Sequence, residues 1–455
     1  MSTVVSAEVD LKQVASDVVA RAMKAGASAA DAIVREGDEF SVVVRLGQVE
    51  TLKESGARAL GLRVFMGQRV GSTYTSDFSD EGIKRLVDGA VQLAKIASED
   101  PDAGLPKPEQ LGKIDGDLGI YYDDVYSLPN EERIEYARRA ERAAMEGDAR
   151  ITNSEGGIFE AATGHKVLAN SLGFVGEYRS SYCSVVAVPI AEKDGQMQRD
   201  YWHSSARTIK KLDMPEAVGK EAQRRTLMRL GARKVATQKV PIVFDQDMSA
   251  ALIGHVFDAL TGDAIYRHAS YLAGQLGRVI AGPNITLVDD GTMSGGFGSS
   301  PFDGEGVPTQ RTTLVDQGTL SSYVLNCYTA RKLKLKTTGN AARGVTGNPG
   351  IGSGNYYLQP GSESPDDIIK SVKKGLYVTQ FLGTAVNLVT GDFSRGASGM
   401  WIEDGQLAFP VEEITVAGNL KDMFMHIGAV GNDLVWRGST ASPTLLIEGM
   451  TVAGE

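Results

Sequence analysis

The sequence predicts an α+β protein with two regions. We expect an N-terminal region of antiparallel sheets with helices on one face, and a C-terminal domain formed by a glycine-rich, twisted antiparallel sheet or partial barrel. In the first half, amphipathic helical patterns are separated by runs of two-residue alternation. In the second half, glycines cluster in loops between short strand patterns. With 455 residues and 42% apolar content, the chain is long enough for two or three domains with their own cores.

The first half begins with a helical pattern over residues 10–25, which Gly26 closes. Ser79 is a candidate cap for a second helix over 82–97. The linker 99–112 is rich in Pro and Asp and is a possible sub-boundary. Two-residue alternation predicts strands at 32–35, 40–45, 48–54, 59–66 and 69–74, with a turn at 67–68.

Beyond the linker, a charged amphipathic helix is predicted over 129–147 and another helix over 214–230. Strands are predicted between them at 151–163, 165–170 and 176–190. The segment GARKVATQK follows the second helix and marks the main boundary. We therefore expect an N-terminal α+β region at 1–235 and a mainly β domain at 236–455.

Composition indicates a cytoplasmic protein that binds neither nucleic acid nor membrane. The formal charge is −10, whereas nucleic-acid contacts need clustered Lys and Arg. The beginning of the sequence does not resemble a signal peptide, and no apolar run reaches the length of a membrane span. Cys183 and Cys327 have no paired spacing, so we expect reduced thiols in apolar strands. Lys332, Lys334 and Lys336 alternate, which predicts a solvated strand edge.

The segment from residue 240 to residue 291 carries the most information on function. An apolar strand at 240–244 precedes a helix that Asp247 or Ser249 could cap and that Gly262 ends. Its apolar residues recur at helical spacing: Leu252, Ile253, Val256, Phe257 and Leu260.

A zinc-peptidase helix needs two imidazoles about one turn apart and a carboxylate between them. This helix has one histidine, His255, and no Glu. His268 lies beyond the break at Gly262, so helical periodicity does not place it near the same ion. We interpret His255 as a partly buried histidine that is hydrogen-bonded to a neighbour.

Several long motifs are distributed along the chain. They are SGARALGLRVFMGQRVGSTYTSDFS at 55–79, LANSLGF at 168–174, SSPFDGEGVPTQRTTLVDQGTLSSYVLNCYTARKLKLKTTGNA at 299–341, TGDFSRGASGMWIEDG at 390–405 and EITVAGNLKDMF at 413–424. These motifs resemble the TldD/TldE (PmbA) family of two-subunit bacterial and archaeal proteases. The similarity covers nearly the whole chain, and the last two motifs resemble the TldE (PmbA) branch.

The resemblance implies that the metal ligands are absent from this chain. The catalytic branch carries an HExxxH helix, a GD pair, a VDDGT motif and a later cysteine ligand. Anchoring on GD at 262–263 and VDDGT at 288–292 places the two histidines at Ile253 and Asp258, and the Glu at Gly254. The stretch expected to hold the cysteine, LVWRGST, contains none. We therefore expect no metal or other cofactor in this chain and zinc in a partner subunit.

Two classes of function remain. The resemblance implies a non-catalytic subunit that pairs with a TldD-like HExxxH protease acting on unfolded peptides. The alternatives are an autonomous hydrolase built from His255, His268, Asp258 or Asp263, and a homodimeric scaffold that binds peptide. A homodimer is also possible when the partner is absent.

The resemblance further suggests where a peptide or a partner would bind. We expect the loop 347–354 to border a peptide groove or a subunit contact, and the C-terminal half to supply the main contact surface through the apolar segments 396–402 and 414–420. Six residues in or next to the family-like motifs are candidates for these contacts: Arg311, Asn355, Tyr356, Asp392, Arg395 and Asn419.

The remaining polar residues of the second half have structural interpretations. Asp289 and Asp290 are adjacent, so they cannot share one strand face, and a turn is predicted there. Ser394 has neither a nearby histidine nor a nucleophile elbow. An ion-pair network is predicted for Asp303, Glu305, Arg311 and Asp316.

Overall fold

The structure is a computed structural model that describes residues 10–383 and 385–454. Its helices are α1 Leu11–Lys24, α2 Asp80–Ile96, α3 Asn130–Met145, α4 Pro215–Met228, α5 Gln246–Leu260, α6 Gly262–Tyr266, α7 Cys327–Leu333, α8 Pro365–Ser371 and α9 Leu420–Met425. The strands of the N-terminal region are β1 Ala29–Arg45, β2 Gln48–Met66, β3 Arg69–Thr75, β4 Ile151–Asn170, β5 Val175–Lys193, β6 Gln196–Arg199 and β7 Trp202–Ala206.

The C-terminal domain contains many shorter strands. They are β8 Gln238–Phe244, β9 Leu287–Asp290, β10 Arg311–Asp316, β11 Thr319–Leu320, β12 Ala341–Ala342, β13 Gly350–Ile351, β14 Asn355–Leu358, β15 Lys374–Leu382, β16 Asp392–Glu403, β17 Gln406–Asn419, β18 Ile427–Val430, β19 Thr440–Ala441 and β20 Leu445–Ala453. The mixed helix and strand content confirms the predicted α+β class.

One antiparallel sheet organises the N-terminal region. Its order is β3-β2-β1-β4-β5-β6, and β7 pairs with β5. The sheet contains strands from both sides of the linker 99–112, because β1 pairs with β4 from Asp31 opposite Asn170 to Val44 opposite Gly157.

Three predicted strand breaks are wrong. The patterns at 32–35 and 40–45 form the single strand β1, those at 48–54 and 59–66 form β2, and those at 151–163 and 165–170 form β4. The polar and glycine residues in between interrupt the apolar alternation, but their backbones continue the ladder, as Gly37 does opposite Gly164.

The helices cover one face of this sheet, as predicted. Ala32 and Val34 of β1 pack in one apolar cluster with α1 and α2. Phe40 and Val42 of the same strand face pack in a second cluster with α3. On the opposite face, Ile33 packs against Phe302 of the C-terminal domain. The sheet is therefore buried between its helices and the second domain.

The C-terminal domain is barrel-like, as expected from its glycine-rich sequence. Six strands follow the order β17-β16-β15-β8-β20-β18, and a further pairing of β17 with β20 closes a ring. A five-stranded sheet, β11-β10-β9-β14-β19, lies in the same domain. Two pairings depart from the antiparallel expectation, since β15 with β8 and β14 with β19 are parallel.

Two local predictions require correction. Cys183 lies in β5, but Cys327 begins helix α7, where the side chain of Asn326 caps the first turn. Lys332 belongs to the same helix and lies 2.9 Å from Asp102, so it is not on a strand edge. Both cysteines are buried free thiols.

No helix in the described part of the chain is long and apolar enough to cross a membrane.

A buried ion triad links the N-terminal sheet to the second domain. The Asp31 carboxylate lies 2.5 Å from the Arg63 guanidinium and 2.7 Å from that of Arg343. All three side chains are less than 5% exposed. Burial alone would raise the pKa of Asp31, but the two guanidinium groups outweigh it and hold this pKa below its ordinary value.

We expect Asp31→Ala to lower the free energy of unfolding by about 3–5 kcal/mol, because it leaves two buried guanidinium groups without their carboxylate. The control is Glu155→Ala, which removes an exposed ion pair with Arg199 and should cost at most about 1 kcal/mol. Urea unfolding of both variants measures the difference. Equal losses would show that the triad contributes no more than a surface pair.

Candidate functional site

Helix α5 is held by its apolar face. Leu252 and Ile253 are fully buried in the main core of the C-terminal domain. The ring centroid of Phe257 lies 5.0 Å from that of Tyr356, which is also fully buried. The predicted apolar stripe is therefore real, and Ile253 belongs to it.

The helix begins at a cap that the sequence did not single out. The Asp245 carboxylate accepts a hydrogen bond from the backbone N–H of Met248 at 2.9 Å. The two predicted caps, Asp247 and Ser249, do not cap the helix. The Ser249 hydroxyl donates to the carbonyl of Phe244, and the Asp247 carboxylate lies 3.2 Å from the Arg437 guanidinium. Asp245 directly follows the apolar strand β8. An Asp between a strand and a helix is a typical N-cap, so its position could have identified it as the cap.

His255 and Asp258 lie on the same helix, about one turn apart. The His255 ring is half-buried, 6.4 Å from that of Phe393, and its Nε2 atom is buried without a hydrogen-bond partner. This corrects the expectation of a hydrogen-bonded histidine. Burial lowers the pKa of His255, and the nearby Arg395 lowers it further. Burial raises the pKa of Asp258.

The residues present do not fit a zinc site. Ile253 has no donor atom and lies in the core, and Gly254 has no side chain, although a Cβ atom there would meet nothing within 4 Å. His268 is exposed beyond α6 with a left-handed backbone. Within residues 10–383 and 385–454, no three His, Cys, Asp or Glu side chains are grouped so that they could hold a metal ion.

The stretch LVWRGST nevertheless lies beside α5. The Arg437 guanidinium donates to Gln246 Oε1 at 3.0 Å and lies 4.3 Å from the ring centroid of Trp202. Thr440 pairs with Tyr356 in the parallel ladder of β14 and β19. The two segments that the sequence resemblance aligned with the metal-binding segments of the catalytic branch are thus adjacent in space. Sequence analysis missed Arg437, because its partners are far away along the chain.

Two of the candidate contact residues are buried within the chain. Asn355 donates from Nδ2 to the carbonyl of Asp290 at 2.7 Å and to Ser299 Oγ at 2.8 Å, and its Oδ1 accepts from Gly298. Tyr356 packs in the core. Both side chains hold the fold together in this structure and do not line a surface groove.

The other candidates lie closer to the surface. Asn419 Nδ2 donates to Asp392 Oδ1 at 3.0 Å across the β16–β17 ladder. The Arg395 guanidinium lies 4.5 Å from the ring centroid of Phe381, and burial lowers its pKa. Arg311 lies 4.0 Å from Asp290.

The predicted ion-pair network around Asp303 is wrong. The Asp303 carboxylate accepts backbone N–H groups of Glu305, Val307 and Ala341, and Glu305 accepts from the backbone of Cys327. Backbone donors replace Arg311 because both carboxylates are buried under glycine-rich loops.

The segments 396–402 and 414–420 were predicted to supply an apolar contact surface. Their apolar side chains are mostly buried in the barrel core.

Asp289 is a further buried acid that the sequence interpretation placed in a turn. It is the third residue of β9, only 1% exposed, and burial raises its pKa to about 6. The prediction that Asp289 and Asp290 face opposite ways holds along this strand. Asp289 is two residues from Leu287, so both side chains lie on the same strand face. This alternation could have predicted from the sequence that Asp289 is buried.

Comparison with known proteins identifies relatives along nearly the whole chain. Family models described as PmbA/TldA metallopeptidase domain 1, central domain and C-terminal domain match residues 30–94, 123–230 and 237–454. Metalloprotease PmbA of Escherichia coli O157:H7 is 38% identical over 94% of this chain and 92% of its own length. A Metalloprotease PmbA homolog of Haemophilus influenzae is 34% identical over 98% and 97%, respectively.

Solved structures share the fold. A crystal structure from Bacteroides thetaiotaomicron superposes with a TM-score of 0.91 at 28% identity, covering 98% of this chain and 99% of that one. TldE from Thermococcus kodakarensis superposes with a TM-score of 0.86 at 20% identity, covering 97% and 100%.

We expect Phe257→Ala to cost about 3–5 kcal/mol of stability, because it opens a cavity beside Tyr356. His255→Ala should cost much less, since the imidazole is only half-buried and its Nε2 makes no hydrogen bond. Denaturant unfolding compares the two. A larger loss for His255→Ala would mean that the imidazole has a structural partner.

Asp245→Asn should become more stable than the parent chain as pH rises. Burial raises the folded-state pKa of Asp245 from 3.8 to about 7. Its carboxyl therefore contributes stability that is fully present below about pH 4 and is lost as pH rises through about 7. Asn keeps the cap without ionising. Thermal unfolding between pH 4 and 8 tests this, and a pH-independent difference would contradict it.

Proposed function

The chain belongs to the PmbA/TldD metallopeptidase family, and we propose that it is the non-catalytic subunit of a two-chain protease in that family. In this proposal, a TldD-like partner with an intact HExxxH helix holds the zinc and cuts unfolded peptides. The present chain completes the chamber in which cutting occurs. We also infer a cytoplasmic location, because both cysteines are buried free thiols.

One observation carries the proposal. Ile253, which takes the place of the first histidine ligand, is fully buried among apolar side chains. A metal at that point would have no donor atom, and Gly254 could not move a proton for a hydrolytic water. This burial supports the proposal that the catalytic groups come from another chain.

The retained packing around α5 supports a scaffolding role. Asp245 caps the helix, Phe257 packs against Tyr356, and Gln246 accepts a hydrogen bond from Arg437. A subunit that shapes a partner's site needs rigid walls and does not need ligands of its own. Leu382, Val389 and Met425 are exposed apolar side chains of the C-terminal half that a partner could cover.

We expect the chain purified alone to contain substoichiometric zinc and to show no chelator-sensitive peptidase activity. Each missing ligand removes part of the roughly 10–16 kcal/mol that a complete structural zinc site provides. Elemental analysis after dialysis, together with a peptide-cleavage assay, measures both quantities. One tightly held zinc per chain that is lost together with activity would overturn the proposal.

Mixing the chain with an HExxxH-bearing TldD-like protein should give a stable complex that cleaves an unfolded peptide when neither chain does so alone. A stable pair should bury well over about 1,000 Å². Mass in solution and peptide cleavage are the measurements. Full activity of the HExxxH chain by itself, or separate species at micromolar concentration, would contradict the proposal.

Two matched variants locate the chemistry within that complex. His255→Ala in this chain should leave cleavage unchanged, whereas Glu→Gln in the partner's HExxxH motif should abolish it, because only the partner supplies the general base. If His255→Ala abolished cleavage in an intact complex, the autonomous hydrolase built around His255 would be the better account.

A further inference from the structure

A small cavity lies where the end of β9 meets three glycine-rich loops. Its volume is about 70 Å³, and its walls include Asp289, Asp303, Asn340, Thr309, Gly298 and Gly354. No Lys, Arg or His side chain of the described chain lines it. Two carboxyl groups therefore face a cavity whose lining offers no basic side chain.

One oxygen of the Asp289 carboxyl group lacks a well-formed hydrogen bond. Its Oδ2 accepts from Asn340 Nδ2 at 2.7 Å, and the backbone N–H of Gly354 lies close to the carboxyl group, but no donor meets hydrogen-bond geometry at the buried Oδ1. Because the residue is 1% exposed, bulk water does not solvate that oxygen. Leaving a buried carboxylate oxygen unsatisfied is costly, so a ligand at this point would be stabilising.

Asp303 adds a second carboxyl group to the same wall. Its two oxygens accept backbone N–H groups at 2.8–3.0 Å, which orients the carboxylate without neutralising it. Burial, and next the neighbouring Glu305, raise its pKa to about 7. Asn340 bonds to Asp289, and the backbone N–H of the adjacent Ala341 bonds to Asp303, so one short segment connects the two carboxylates.

We propose that this cavity binds one hard divalent metal cation, with Asp289 Oδ1 as its anionic ligand and Asp303 as the second charge that balances it. Oxygen atoms of carbonyl groups, of the Asn340 amide and of water complete the coordination. Hard cations such as Mg²⁺ and Ca²⁺ accept this set, whereas zinc prefers the imidazole and thiolate groups that the cavity lacks. The cavity has room for an ion with one or two waters, each about 30 Å³.

The bound cation would stabilise the loops that Asn355 and Asn340 already connect. It does not depend on which subunit of a protease is catalytic, since β9 and its loops lie outside helix α5. Binding to the folded chain alone raises its stability by mass action.

The test uses the full chain after chelator treatment and desalting. Calorimetric titration with MgCl₂, CaCl₂ or MnCl₂ should show saturable binding of one ion per chain, with a Kd on the order of 10⁻⁴–10⁻³ M or tighter. The thermal midpoint should rise over the same concentrations. Sodium chloride at matched ionic strength and methylammonium chloride should produce neither effect.

Asp289→Asn should weaken binding at least about tenfold, since it removes the anionic ligand and keeps the shape. The matched control is Asp290→Asn, because Asp290 faces the other way and its Oδ1 accepts from Thr292. Its binding should stay close to that of the parent chain.

Three results would overturn the proposal. One is the absence of saturable binding of any of the three metals to the parent chain, which decides the matter even if Asp289→Asn does not fold. Another is an equal loss of binding in both variants. The third is saturable binding of methylammonium without metal binding, which would assign the cavity to an amine.

Discussion

The antiparallel pairing of β1 with β4 is the constraint on which the rest of the molecule depends. It joins strands separated by more than a hundred residues into one sheet. Because side chains alternate between the two faces, this register directs Ala32, Val34 and Phe40 toward the helices and Ile33 toward the second domain. Asp31 shares the face of Ile33 and there meets Arg343. A slip by one residue would bury the wrong face on both sides, so the sheet's register and the domain junction specify each other.

The sequence predicted the long helices well and the long strands poorly, and both outcomes have physical causes. Helices α1 and α2 bury a continuous apolar stripe and begin at side-chain caps, which are local signals. The middle of β1 lacks such a signal, because Glu36 and Asp38 lie on the helix-bearing face between the cluster beneath α1 and α2 and the cluster beneath α3. Backbone pairing continues through a stretch that no apolar core covers, and periodicity cannot detect it.

The sequence located positions of the candidate site but did not predict the contacts that these residues make. Motif spacing located Ile253 and Gly254, since the resemblance rests on local sequence. The roles of Arg437 and Asn355 depend on partners that the fold brings in from distant segments. Asp289 was missed for another reason: adjacent acids usually indicate a turn, whereas here the strand extends through both and buries the first.

The position of Ile253 also determines how readily α5 could accept a metal ligand. Gly254 faces open space, so a longer side chain could be accommodated there. Ile253 is different, because it is fully buried in the same cluster as Phe257 and Tyr356. An imidazole in that place would be a buried polar group among apolar neighbours, and without a metal it would destabilise the helix that carries it. Introducing a set of metal ligands on α5 one residue at a time would therefore weaken the core before the set was complete. The packing that keeps α5 in place favours an apolar side chain at position 253.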